Sequence, residues 1–526
     1  MAVASIARPA AIAGGLDYKW KVMIVTIFGT FMTMLDSTIV NIALPKITNV
    51  FGVPVSEGQL VITSYMLALA VIMPATGFLS DTFGTKRLFL ITMALFTGGS
   101  LLCGLAWNST SLIVFRIIQG LGGGMMSPLG MTMLFKAVPV NQRNAIMGIY
   151  GLPLILAPVL GPTIGGYLVE YVDWRVIFTL NVPIGVVGML LGSAWLRETE
   201  LIRGLKFDVR GFLLSAVGFS ALLLALSDAE TDGWTSPSIL IRLAIGTVCL
   251  VAWVWVELTD KQPLLELRLF KNRTFALAML VNFVLTVGMF GGQLLLPVFL
   301  QSYRGLGAAE TGLITMTQAL AMLPLMPIVG RLADRFGTRT LLLIGLPLVA
   351  LSMWQFSGLS MDTTDTQLRL WLAARGITMG LVMMPAMTAA LNTVPVELTS
   401  RGSSLTNVMR QVFGSFGTAI FVTILSSRQT FHANVLAQAA TPTNVTLQQT
   451  LGQVQQWVLQ NGGSAAQAQA EGMLAVAKQL YQQAAIMSFD DVFMVAAIIT
   501  LVAVIPALFI GNSERAGHSE PSLMVE

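Results

Sequence analysis

The sequence predicts an all-α membrane protein with fourteen transmembrane helices. Three observations carry that expectation. Of the 526 residues, 55% are hydrophobic and only 11% are charged, against about 25% charged in a soluble domain. The ionic side chains are too few to clothe a water-exposed surface. The apolar residues gather in runs long enough to cross a hydrocarbon core of about 30 Å, which takes roughly 20 helical residues. These runs are continuous rather than alternating. In lipid only helices and closed barrels satisfy the backbone, so a continuous run reads as a helix.

The expected spans are 20–44, 58–80, 88–107, 111–135, 144–168, 176–196, 208–227, 238–257, 275–300, 310–330, 340–358, 368–391, 404–426 and 489–511. Charge supports this register. Lys19 and Lys21 precede the first span, and Lys86 and Arg87 follow the second. Lys136 and Arg143 follow the fourth, and Arg197, Arg203, Lys206 and Arg210 the sixth. Lys261, Arg268, Lys271 and Arg273 follow the eighth, and Arg331, Arg335 and Arg339 the tenth. The intervening loops are nearly free of Lys and Arg. Basic loops stay cytoplasmic, so both termini are expected inside, in a multi-pass protein of the inner (plasma) membrane. Met1 to Asp17 lacks the apolar core of a secretory signal, so the first helix is expected to direct its own insertion.

Several classes of function are excluded or disfavoured. The net charge of +4 is spread over short loops and forms no basic stripe, so no nucleic-acid partner is expected. Cys103 and Cys249 fall inside apolar runs and read as small core residues. His432 and His518 are too few for a histidine metal cluster. No metal or cofactor is expected. The chain has neither G-x-x-x-x-G-K-[ST] nor H-E-x-x-H, which argues against nucleotide hydrolysis and zinc hydrolase chemistry, and the protein is not read as an enzyme.

The chain repeats itself. Residues 77–91 read GFLSDTFGTKRLFLI and residues 330–344 read GRLADRFGTRTLLLI. Both copies fall in a basic loop, after the second and the tenth span. The organisation is therefore two six-helix bundles, residues 1–200 and 274–526, with two helices inserted between them at 201–273. Parallel halves of this kind are a transporter architecture with the substrate site near the midplane. Gly84 and Gly337 permit a tight turn, and Gly77 and Gly330 are counted with them as residues of the gate loops. Asp81 and Asp334 can cap a helix N-terminus or pair with a base; a purely positive-inside hairpin accounts for Lys86, Arg87 and Arg339 but not for these acids.

A few polar side chains interrupt the apolar runs. Asp36 stands well inside the first span, where a carboxylate costs about 2.5–3.5 kcal/mol on insertion scales. Desolvation favours the neutral form of an acid, so Asp36 is the candidate proton carrier. The competing reading is a structural carboxylate bonded to Ser37, Thr38 or Asn41. Arg stays charged at any relevant pH, so Arg116, Arg375 and Arg410 carry no proton; they bind anionic groups, pair acids or hold backbone carbonyls. Asp36, Asn41, Gln119, Arg375 and Arg410 are the candidate polar residues of a substrate cavity. With 29 Met and 27 Phe, part of that cavity is expected to be plastic enough to re-pack around different ligands. In the fifth span Gly161, Pro162, Gly165 and Gly166 form a kinked, close-packing stretch.

These motifs resemble the major facilitator superfamily. The repeated loop is similar to its Gly-x-Leu-x-Asp-x-x-Gly-x-Lys/Arg signature. Leu112 to Gly120 (LIVFRIIQG) resembles its fourth-helix motif, and Ala157 to Gly166 (APVLGPTIGG) its fifth-helix antiporter motif. Leu35 to Pro45 (LDSTIVNIALP) and Trp174 to Gly185 (WRVIFTLNVPIG) resemble the fourteen-helix drug:proton antiporters of the EmrB/QacA type. The resemblance implies a proton-coupled exporter of lipophilic, multidrug compounds working by alternating access, with antibiotic resistance as its consequence. It gives Arg116 a part in proton coupling, makes the GPxxGG stretch an exporter's hinge, and makes Asp81 and Asp334 latches of the outward-open state. A dedicated exporter of one metabolite, such as a fatty acid, a siderophore or an amino-acid-like compound, is the alternative.

The segment 427–488 is expected as a long outer loop, partly amphipathic helix at Leu447 to Leu459 and Ala468 to Ala485. It reads either as a loosely ordered polar loop or as a docking surface; the resemblance points to a periplasmic adaptor protein. Asp490 and Asp491 are expected to begin the last helix, as a cap or as a point of proton entry.

Overall fold

The computed structural model describes residues 16–139, 142–199, 201–202, 204–439 and 445–511. Arg203 and both chain ends, expected on the basic side, lie outside the described residues. The described chain is helical, without strands. Its principal helices are α1 (Tyr18–Phe51), α2 (Glu57–Phe83), α3 (Thr85–Gly104), α4 (Ser109–Ala137), α5 (Leu152–Tyr171), α6 (Val176–Trp195) and α7 (Val209–Asp232). They continue as α8 (Pro237–Thr259), α9 (Arg273–Val298), α10 (Glu310–Phe336), α11 (Thr338–Gly358), α12 (Asp365–Leu391), α13 (Thr399–Ala439) and α14 (Ala465–Val502). Among the described residues, twelve helical segments are long and apolar enough to cross a membrane. Two shorter apolar stretches, Arg143–Ala157 and Arg273–Met289, stand at the fifth and ninth expected spans.

The sequence repeat is a repeat of packing. In the first half α1 packs on α5, α4 and α6; in the second, α9 packs on α13, α12 and α14. The pairs α3–α4 and α2–α4 recur as α11–α12 and α10–α12. Local details recur too. A 3-10 turn breaks α2 at Met73–Ala75 and α10 at Leu323–Leu325, each around a proline that cannot donate to the helix ladder. Gly84 (φ 88°, ψ 142°) and Gly337 (φ 84°, ψ 146°) end those helices in a conformation that a side chain disfavours.

The inserted pair sits at one seam between the halves. There α7 touches both α2 and α13, while α8 packs on α7. Only 17% of the apolar window of α8 is buried, so most of its surface faces outward. At the other seam α5 meets α10.

Two expectations are corrected by the length of the last helices. The segment 427–488 is helical wherever it is described; the amphipathic stretches expected at Leu447 to Leu459 and Ala468 to Ala485 lie in helices, and what is corrected is the loop expected around them. Helix α13 runs for 41 residues, about 60 Å at 1.5 Å per residue, roughly twice a hydrocarbon core. A separate helix, Val445–Gln460, then packs against α14, which begins at Ala465. Asp490 and Asp491 are therefore mid-helix residues, not the start of α14. Its cap is Ser464, in a capping box with Gln467, and Asp491 instead binds Arg428 at 2.5 Å and His432 at 2.7 Å on α13. Hydropathy locates the apolar end of such a helix but is blind to its polar continuation.

Candidate functional site

Asp36 is completely buried at the centre of the first half. Arg116 Nη1 donates to its Oδ2 at 2.5 Å, Gln119 Nε2 to its Oδ1 at 2.8 Å and Asn181 Nδ2 to Oδ1 at 3.1 Å. Gln119 and Asn181 also donate to Ser100 Oγ. Arg116 is anchored in turn: its Nε donates to the Val61 carbonyl, its Nη1 to Gln119 Oε1, and its guanidinium lies 3.9 Å from the centroid of the Tyr65 ring. Five helices, α1, α2, α3, α4 and α6, thus converge on one carboxylate. Arg116 and Gln119 come together because they are one helical turn apart on α4. The neighbours proposed for a structural Asp36 are bonded elsewhere: Ser37 and Asn41 donate to backbone carbonyls of their own helix, and Thr38 donates to such carbonyls and to that of Ala157 on α5. Sequence reasoning missed Asn181, Ser100 and Tyr65. Asn181 lay inside a quoted motif, and a buried Asn in an apolar run was the available signal.

The GPxxGG stretch holds α5 onto α1 beside this pair. A Cβ on Gly161 would collide with the Thr38 side chain, and one on Gly165 would come 2.6 Å from Ile39 Cγ1. Close approach therefore requires glycine at both positions, against Thr38 and Ile39, which lie two and three residues after Asp36. Gly166 has open space around it, and Pro162 lies between them on the same helix.

Between the halves lies a cavity of about 670 Å³, within the range of drug-sized pockets. Its wall is drawn from α1, α2, α5, α7, α9, α10, α12 and α13. Of the five polar residues expected there, Asn41 is on the wall. Asp36 faces into the first half instead, Thr38 and Asn41 being the α1 residues on the cavity wall, and Gln119 on α4 turns to Asp36 and Ser100. Arg375 is buried beside the Phe356 ring. Arg410 is turned to Asn407 Oδ1 at 3.0 Å and Ser127 Oγ at 3.5 Å. A polar residue in a helix declares its depth in the sequence, not its direction.

Hydrogen bonds between the halves concentrate at the basic-loop end. Asp334 accepts from Asn144 Nδ2 at 2.7 Å and from the Ala145 N–H at 3.2 Å, at the start of the short helix Arg143–Tyr150. Thr388 donates to Asn144, and Ser403 to the Pro128 carbonyl. The symmetry-related Asp81 lies 3.9 Å from Arg401, near the first turn of α13. The glycines of the repeat make both approaches possible. A Cβ on Gly77 would meet Arg401 Cα at 3.1 Å, and one on Gly330 would meet Ala145 Cα at 2.5 Å. Arg401 has a further partner, Glu266 at 3.9 Å, from the segment joining α8 to α9. Not every expected gate residue bridges the halves. Glu198 accepts from the N–H groups of Lys86 and Arg87, and Lys86 Nζ donates to the Ser193 carbonyl, all within the first half. Arg339 stands in the first turn of α11.

Two pseudo-symmetric helical halves around a central cavity, with a buried charge pair beside it, define a membrane carrier. The chain belongs to the major facilitator superfamily: the family model described as Major Facilitator Superfamily matches residues 26–418. Among its relatives is an uncharacterized MFS-type transporter, YhcA of Bacillus subtilis, 38% identical over 79% of this chain and 78% of that one. A multidrug resistance protein B homolog of Mycobacterium tuberculosis is 34% identical over 79% and 77%. The multidrug export protein EmrB of Haemophilus influenzae is 31% identical over 89% and 91%. Of solved structures, the proton:xylose symporter XylE superposes with a TM-score of 0.60 at 13% identity, covering 94% of this chain and 96% of that one; it shares the fold. The protein is thus a multi-pass membrane transporter with multidrug-exporter relatives.

Proposed function

We propose that the chain exports lipophilic compounds in exchange for protons by alternating access. It would reside in the inner (plasma) membrane with its basic loops and termini in the cytoplasm. The observation that carries this reading is the buried Asp36–Arg116 pair, on the helix that also supplies Thr38 and Asn41 to the cavity wall. A proton on Asp36 removes the charge that Arg116 answers, so protonation and the packing of α1 are linked. The inter-half bonds at the basic end support reading the structure as an outward-facing state with its cytoplasmic gate shut. The names of the relatives support a broad range of drug-like substrates, as do Met66, Met289, Met322, Met379 and Met383 on the wall, whose flexible thioethers re-pack around varied shapes.

The experiment is transport in proteoliposomes with an imposed pH gradient. Asp36→Asn is expected to lose gradient-driven accumulation while inserting and folding; unchanged accumulation removes Asp36 from the mechanism.

The outer helices are proposed to dock a periplasmic adaptor in cells with two membranes. They project beyond the core and expose Trp457, Leu474 and Tyr481.

A further inference from the structure

The charge of the transported compound follows from what the cavity wall lacks and holds. Among the described residues that line it, none is Asp, Glu, Lys, Arg or His. Its polar groups are neutral hydroxyls and amides, among them Asn41, Thr315, Gln318, Gln411, Ser415 and Thr418. The described ionisable side chains flanking wall residues are engaged elsewhere: Asp228, between Ser227 and Ala229, pairs with Arg242. Asp36, two residues from Thr38, has both oxygens held by Arg116, Gln119 and Asn181. Arg410, next to Gln411, is bonded to Asn407.

Nor does the wall offer an aromatic cage. Its one described aromatic residue is Trp234, whose indole N–H is bonded to Thr423 Oγ1; cation–π recognition of quaternary ammonium groups uses several rings. Moving an ion from water into such a place, with no counter-charge to meet it, costs several kcal/mol even after relaxation. An uncharged lipophile meets no such penalty, and scattered hydroxyls and amides can accept or donate to its amide, ester or ether groups without demanding one geometry.

We propose that the cavity is built for electrically neutral, amphipathic compounds and discriminates against permanent cations. This deepens the exporter reading and rests on it. A neutral compound exchanged for protons also makes each cycle move net charge, so a membrane potential, negative inside, should drive export in the absence of a pH gradient.

The test uses the full-length protein in proteoliposomes with a matched pair of radiolabelled compounds: dansylamide, neutral at pH 7, and its N-methylated quaternary salt. Gradient-driven transport of dansylamide is expected to exceed that of the salt by about ten-fold or more. Equal or faster transport of the salt overturns the inference while leaving the exporter reading intact. Transport of neither compound, with protein shown to be folded and inserted, overturns both. A second variant, Gln411→Glu, places a carboxylate on the wall with almost no change of shape. It is expected to raise transport of the quaternary salt relative to dansylamide, and an unchanged ratio contradicts the role assigned to the uncharged wall.

Discussion

At the scale of single residues, the account rests on a carboxylate and a guanidinium that share one buried site. Breaking a buried ion pair by removing one partner costs about 3–5 kcal/mol, whereas replacing both by apolar groups is often neutral or stabilising. Arg116→Met is therefore expected to lower the thermal stability of the purified protein. Asp36→Leu combined with Arg116→Met should restore most of it without restoring coupled transport. A double variant as unstable as the single one would mean that the network holds the fold rather than the proton. Asn181 supports the same carboxylate, and its Oδ1 has no hydrogen-bond partner among the described residues. A hydrogen bond to a charged group contributes about 1.5–3 kcal/mol. Asn181→Ala is expected to slow gradient-driven transport about ten-fold while substrate exchange without a gradient persists. Asp36 and Arg116 stood out in the sequence because a charge in an apolar run is costly to bury. Asn181, Ser100 and Tyr65 did not, because a neutral residue on another helix signals nothing until the helices are packed.

At the scale of elements, the two copies of the loop motif act on equivalent helix starts. Asp334 holds the start of Arg143–Tyr150, and Asp81 faces the first turn of α13. A carboxylate at a helix N-terminus is favoured by the exposed N–H groups there. Asp334→Asn is expected to loosen the basic-end contact. A cysteine in place of Ser415, on the cavity wall, would then react more slowly with an impermeant thiol reagent added from outside, because the outward-facing state is less populated. Unchanged labelling would contradict the latch. Glu266→Gln should act in the same direction and more weakly, since Glu266 lies 3.9 Å from Arg401; the segment after the inserted pair is thereby tied to the gate. The repeat was readable as a repeat, and its acids as acids that a positive-inside hairpin does not need. What those acids touch was not readable, because both partners come from the other half of the chain. The outer helices give a further prediction. Replacing residues 441–484 by a short Gly/Ser bridge should leave transport in proteoliposomes intact and reduce drug resistance in a two-membrane cell. Loss of both would place these helices over the carrier's own mouth, and retention of both would leave no adaptor docked there.

At the scale of the whole molecule, length, apolar runs and the alternation of basic loops foreshadowed the helical architecture. The offset repeat foreshadowed its two-fold order. Ala and Gln favour helix, so Leu447 to Leu459 and Ala468 to Ala485 were readable as helical; the continuity of α13 and α14 with their apolar parts stayed hidden because hydropathy marks only the apolar stretch. Sidedness has its own check. A cysteine at Thr235, between α7 and α8, should be modified from outside the cell and one at Lys261, after α8, should not. The reverse pattern would invert the orientation. The central claim is that Asp36 carries the proton given up when substrate binds. Its most direct measurement is proton release from the purified, detergent-solubilised protein in weakly buffered solution, followed with a pH indicator as a saturating transported compound is added. The account predicts release from the wild type and none from Asp36→Asn, with the variant still binding the compound. Undiminished proton release from Asp36→Asn would contradict it.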